Sequence, residues 1–232
     1  MTGDVEVQAL AQRILMELDS VHDYYAFTNA VYRFVQQVVE VEERQFFVQN
    51  KVTGTVADEV KIVALSQSYI TSYLASASLE KFVSLLEDFL VGLKRVWLRK
   101  FPGKMNANEM KFDEIAMLPD KQAIIDRFID KEIQKFTYKR PEMWFRDFNE
   151  SAKLDVPSPA EIDQFCEIKA TRDVLVHNQS VANWTYLDKS KQHARYIEGD
   201  LVQIPDDYLR TSWELIKKIV QDMSAATIAK LS

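Results

Sequence analysis

The chain has 232 residues with 47% apolar and 28% charged residues, a composition that supports a sizeable buried core and excludes a disordered or low-complexity protein. Its net charge of −6 argues against a protein that merely coats nucleic acid, because phosphate neutralisation calls for a basic surface. Five glycines and six prolines are too few for the turns of a sheet-rich domain, and the single cysteine, Cys166, rules out an intrachain disulfide.

From the N-terminus, MTGDVEVQAL is acidic and lacks the basic and apolar regions of a signal peptide. No run of about 18 apolar residues predicts a membrane span, so a cytoplasmic location without membrane contact is expected. Residues 5–49 read as helical. Leu10, Ile14, Leu15 and Leu18 recur at helical spacing; after Asp19 and Ser20 a second pattern runs through Phe27, Val31, Phe34, Val35, Val38 and Val39. The segment KVTGTVAD, residues 51–58, breaks the pattern, so residues 1–55 are expected as an N-terminal helical extension and 56–232 as the main domain. The strongest helix runs from about Glu59 to Phe101. Leu79, Phe82, Leu86, Phe89, Leu93 and Val96 form its stripe; Glu80, Lys81, Glu87, Asp88, Lys94 and Arg95 fill the other face; Pro102 and Gly103 stop it. Its early part, SYITSYLASAS, is rich in small residues and predicts a close helix–helix approach.

A polar connector over residues 104–113 leads to a helix carrying Ile125, Phe128, Ile129, Ile133 and Phe136, then to a shorter one opened by Pro141. Ser158, Pro159 and Glu161 form a helix start with a capping box, and that helix is expected to reach about Asn178. Gly199 and Asp200 suggest a small β-hairpin near 195–204. Leu209, Trp213, Ile216, Val220 and Met223 make the stripe of a last helix. The fold class is an all-α bundle of about six or seven helices.

The motifs that carry most enzyme chemistries are missing from the sequence. With three scattered histidines and one cysteine there is no metal-ligand spacing, and with five glycines there is no phosphate loop; no metal or cofactor is expected. What remains is TRDVLVHN, residues 171–178. Asp173 lies one helical turn before His177 and can orient its imidazole, and Asn178 both donates and accepts hydrogen bonds. On an ideal helix Arg172 and His177 diverge by about 140°, so they converge only if the helix frays or if two copies face each other. The plain alternative is a surface arginine paired with Glu167 and a histidine on a helix C-terminus. Cys166 on an apolar helix face reads as core, as does the aromatic cluster Tyr138, Trp144, Phe145 and Phe148, for which base stacking is the alternative, while His22 and His193 have no matching context.

Arg172-Asp173-x-x-x-His177-Asn178, together with the long helix bearing ASLEKFVSLLEDFL and the amphipathic C-terminal helix, resembles the HEPN domain family over roughly residues 60–228, and is closest to stand-alone bacterial HEPN proteins of the toxin and phage-defence type. The resemblance implies a homodimeric, metal-independent endoribonuclease, with RNA as substrate and an antitoxin protein as a possible partner. In it the RNA 2′-hydroxyl attacks the adjacent phosphate at a composite dimer cleft. It would make His177 the general acid/base, Arg172 the group that stabilises phosphorane charge, Asp173 the group that orients the histidine, and Asn178 a helix-end or phosphate contact. Lys169, Trp184 and Tyr186 are candidate substrate contacts by proximity to the motif. The alternative is a non-catalytic HEPN-like helical module that binds a nucleotide or a protein partner.

Overall fold

A computed structural model of the chain describes residues 2–42, 47–105 and 109–231. The parts of the predicted first helix and of the predicted connector that fall on residues 43–46 and 106–108 lie outside the described residues.

The first helix, α1 (Gly3–Glu42), is 40 residues long, about 60 Å, and does not stop where the apolar pattern changes. The two patterns belong to opposite sides of one helix. Leu18 and Phe27 are nine positions apart, which turns the helix through about 180°. Val7, Ile14 and Leu18 are fully buried in the bundle, whereas Phe27, Val31 and Phe34 are exposed. The bundle side of α1 continues in polar form: Tyr25 donates to Asp206, and Asn29 (3.3 Å) and Arg33 (2.9 Å) bond the same carboxylate.

A hairpin of two short antiparallel strands follows, β1 (Val48–Gln49) and β2 (Val56–Ala57), paired Val48 with Ala57 and Gln49 with Val56. Next, α2 (Glu59–Ser68) starts on Asp58, whose side chain accepts from the Lys61 backbone N–H. It passes into a π-helical stretch, Tyr69–Leu74, and then into α3 (Ala75–Lys100). The predicted single helix is therefore one continuous helical run with a widened segment inside SYITSYLASAS. Leu79, Phe82, Leu86, Phe89 and Leu93 are fully buried as their spacing predicts. Gly92 lets α1 approach α3 closely: a Cβ there would lie 2.7 Å from Leu10 Cδ2. Lys94, expected on the solvated face, is instead buried, its ammonium 5.8 Å and 5.4 Å from the ring centres of Phe136 and Phe148. Burial pushes its pKa down.

Short α4 (Phe112–Ala116) precedes α5 (Lys121–Thr137) and α6 (Pro141–Ala152), the latter with Pro141 in its first turn. Helix α7 (Pro159–His177) has the predicted capping box between Ser158 and Glu161. It packs against α3, α6, α8 (Trp184–Ser190) and α9 (Asp206–Leu231), so it buries residues around most of its circumference. That encirclement explains why no single apolar stripe marks it. Helices α1, α3 and α9 form the centre of the core. The fold is an all-α bundle with a small β-hairpin. The hairpin sits at 48–57; residues 195–204 form a tight turn at 197–200, and Val202 N–H then bonds Ser180 O at 2.7 Å. The Tyr196 hydroxyl bridges both backbone groups of Gln203, closing the loop without a strand ladder.

Candidate functional site

Helix α7 carries two polar clusters. The first lies towards its C-terminus, where α3 and α8 flank it. Glu87 of α3 accepts from Arg172 Nη2 at 3.0 Å and from Lys169 Nζ at 2.8 Å, both on the same oxygen. Asp173 lies 3.4 Å from Arg172 and 3.5 Å from Lys169, and its second oxygen accepts from Lys189 of α8 at 2.9 Å. Three cations face two carboxylates, leaving a net +1. Burial pushes the Asp173 carboxyl up, but Lys169, Lys189 and Arg172 outweigh it and hold it below its usual value. The Arg172 side chain is only 15% exposed, and its Nε–H is buried without an acceptor among the described residues. An unfilled buried donor of this kind costs about 1–3 kcal/mol.

His177, the last residue of α7, is exposed at the rim of a recess of about 190 Å³. Asp173, Asn178, Asn183, Thr185, Tyr186 and Lys189 line it with the apolar Ala170 and Val174. Among the described residues no hydrogen bond or ion pair to His177 is present: the Asp173 carboxylate is turned to the cations rather than to the imidazole. Asn178 donates from Nδ2 to Val181 O and fixes the chain as it leaves the helix. Arg172 faces α3 and His177 faces α8, the divergence that helix geometry predicts. The structure thus brings Asp173, His177 and Lys189 to one recess and holds Arg172 beside it through Asp173.

Of the other candidates, Lys169 is largely covered, bonded to Glu87 and 5.7 Å from the Trp144 ring centre. Trp184 is exposed. Tyr186 is buried, its ring edge on the recess and its hydroxyl pointing to the other side of α7. Lys189 and Glu87 escape sequence reading. Lys189 comes from α8, which is separated from the end of α7 by six residues, and Glu87 reads as one more solvated charge on α3.

The second cluster surrounds Glu167, which is 4% exposed. Its Oε1 accepts from Thr171 Oγ1 (2.8 Å), the Tyr186 hydroxyl (3.1 Å) and Arg195 Nε (3.1 Å), and its Oε2 accepts from the Tyr208 hydroxyl (2.7 Å). The Arg195 guanidinium lies flat on the Tyr208 ring, 3.3 Å from its centre. Burial raises the Tyr208 pKa, and the neighbouring Glu167 carboxylate raises it further. Sequence signals this cluster only through a glutamate set among Phe165, Cys166 and Ile168; apart from Thr171, one turn on along α7, its other members come from separate elements.

The remaining singular residues are structural. Cys166 is buried, and burial pushes its thiol up to about 12, with Glu142 nearby adding to the rise. His22 stacks on Trp213 at 4.1 Å between ring centres, and His193 lines a recess beside Arg195 and Tyr208. Trp144, Phe145 and Phe148 are core, whereas Tyr138 is exposed. Among the described residues no group of three or more histidine, cysteine, aspartate or glutamate side chains is placed to hold a metal ion, and no described helix is long and apolar enough to cross a membrane. Comparison with known proteins finds no matching family model, no matching curated protein and no matching solved structure.

Proposed function

We propose that this chain is a metal-independent endoribonuclease of the HEPN class, acting in a toxin or antiviral setting. The observation that carries the reading is His177: an exposed imidazole with no bonded neighbour among the described residues, on the rim of a polar recess beside a cluster of net positive charge. A phosphodiester is attracted to such a cluster, and an unengaged imidazole is free to move a proton.

In this mechanism His177 removes the proton of the RNA 2′-hydroxyl. The 2′-oxygen attacks the adjacent phosphorus, and the bond from phosphorus to the 5′-oxygen breaks. A second imidazole, from the same motif of a second copy, gives the leaving oxygen its proton. The products are a 2′,3′-cyclic phosphate and a 5′-hydroxyl. Arg172 stabilises the charge on the phosphorane oxygens, which requires it to exchange Glu87 for phosphate; its unfilled Nε–H is the donor that such an exchange would satisfy. Lys189 adds a cation at the recess, and Asn178 holds the helix end that presents His177.

One observation favours a second reading, a non-catalytic HEPN-like module that binds a nucleotide or a protein partner: Arg172 is engaged with Glu87 and Asp173 rather than open to solvent. An RNA cleavage assay in EDTA separates the two. The nuclease reading expects cleavage by the wild-type chain, 2′,3′-cyclic phosphate ends, and none from His177→Ala. If the wild-type chain leaves a panel of RNAs intact while binding nucleotides by calorimetry, the second reading replaces the first.

A further inference from the structure

Beyond Tyr25, α1 leaves the core and runs alongside α2, with the β-hairpin at their far end. This arm is charge-poor. Residues 24–73 carry four basic and five acidic residues, a net −1 within a chain of net −6. It is also unusually apolar on its outside. Eleven of the twenty large apolar side chains exposed among the described residues belong to it.

Their arrangement is ordered. Tyr24, Phe27, Val31 and Phe34 fall within about 80° of one another around α1, on the side opposite the bundle. Phe27 is 71% and Phe34 63% exposed. Beside this stripe an apolar groove of about 530 Å³ opens between α1, α2 and the hairpin, bordered by Val31, Val35, Val48, Ile62, Leu65 and Tyr69. Two helices and a hairpin of two-residue strands cannot cover their own apolar faces. The exposed apolar area of the arm is on the order of 1,000 Å². Monomers rarely leave a patch beyond about 300–600 Å², and a stable interface needs ~800 Å² from each partner.

We propose that the arm seats the arm of a second copy of this chain, two antiparallel helix pairs closing into a four-helix bundle about a two-fold axis. A self-complementary apolar stripe suits an isologous contact. The near-neutral charge of the arm lets two copies meet there while the remainder of each, carrying −5, is held apart. That same balance sets the patch against an anionic lipid surface, which selects a basic rim. The inference stands on the arm alone and does not rest on the nuclease reading, which leaves open which surfaces join the two copies.

Light scattering on a sizing column tests it. The wild-type chain is expected at twice its mass of 26.9 kDa. Phe27→Glu combined with Phe34→Glu is expected at the mass of one chain, with helical circular dichroism unchanged and the dimer constant weakened ~100-fold or more. Val31→Lys alone provides the same readout should the double variant fail to fold. A wild-type chain that runs at single mass at every concentration overturns the proposal, as does a folded variant that keeps the doubled mass. RNA cleavage by a chain whose doubled mass survives these variants would sink this inference and spare the nuclease; a dimer dissolved by these variants but inert towards RNA would do the reverse.

Discussion

The two polar clusters on α7 are built from the same kinds of residue and differ in how completely they are matched. Around Glu167 one carboxylate meets four donors, from Thr171, Tyr186, Arg195 and Tyr208, and both oxygens are used. Around Asp173 two carboxylates meet three cations, and among the described residues one guanidinium N–H has no acceptor and the imidazole at the rim has no bonded neighbour. A satisfied buried network rigidifies the elements it joins, here α7, α8, α9 and the loop carrying Arg195. An unsatisfied one at the surface retains capacity for an incoming anion. Completeness of pairing, more than the presence of charge, is what distinguishes the two centres.

Substitutions can break this contrast. The largest loss of stability is expected from Glu167→Ala, which strands Arg195 and three hydroxyl groups: about 3–5 kcal/mol, or a fall in Tm on the order of 10 °C for a chain of this size. Calorimetry reads it directly, and a loss under about 1 kcal/mol would mean that the cluster is not structural. Asp173→Asn follows, at ~1–2 kcal/mol, because Lys169, Arg172 and Lys189 lose an opposing charge. Its pH dependence has a definite sign. The folded carboxyl lies below its ordinary 3.8, so its contribution is complete above that value and is lost as pH falls through the folded value. Melting curves of wild type and Asp173→Asn should therefore converge at acid pH and separate above about pH 5.

Smaller again is Glu87→Gln, about 1 kcal/mol, since Arg172 and Lys169 keep a neutral acceptor. It releases Arg172 from a charged partner, so binding of a short RNA measured by fluorescence anisotropy at low salt should tighten; weaker binding would count against anion exchange at Arg172. The least destabilising change is His177→Ala, within about 0.5 kcal/mol because no described residue bonds the imidazole. On the nuclease reading it nonetheless lowers cleavage by at least ~10²-fold. A variant that moves Tm as far as Asp173→Asn does would place His177 among the structural residues and blur the contrast.

Sequence periodicity located most helices because their stripes are long and face one partner. The stripe of α3 and the capping box at Ser158 are the clearest cases. In α1 it showed two apolar patterns without their relation: the apolar side changes at mid-helix, so an outward-facing stripe follows an inward-facing one along a single helix. It could not order α7 by face, since neighbours surround that helix. At the site, the local motif residues were visible as a string, but their partners were not. Glu87 lies 85 positions from Arg172 and Arg195 lies 28 from Glu167, and no spacing rule connects charges brought together only by packing. Lys94 shows the opposite failure: a long aliphatic stem let an apparently solvated charge settle between two phenylalanine rings.

The π-helical stretch Tyr69–Leu74 has a geometric consequence of its own. A π turn accommodates one residue more than an α turn, so the helical run carries an extra step of about 100° between the bundle and the arm. The azimuth of α2, and with it the aim of its side chains, is therefore governed by how many residues occupy this stretch rather than by which ones. Shortening it by a single residue should restore plain α-helix, swing α2 about its own axis, and re-aim one wall of the arm while every contact inside the bundle stays in place.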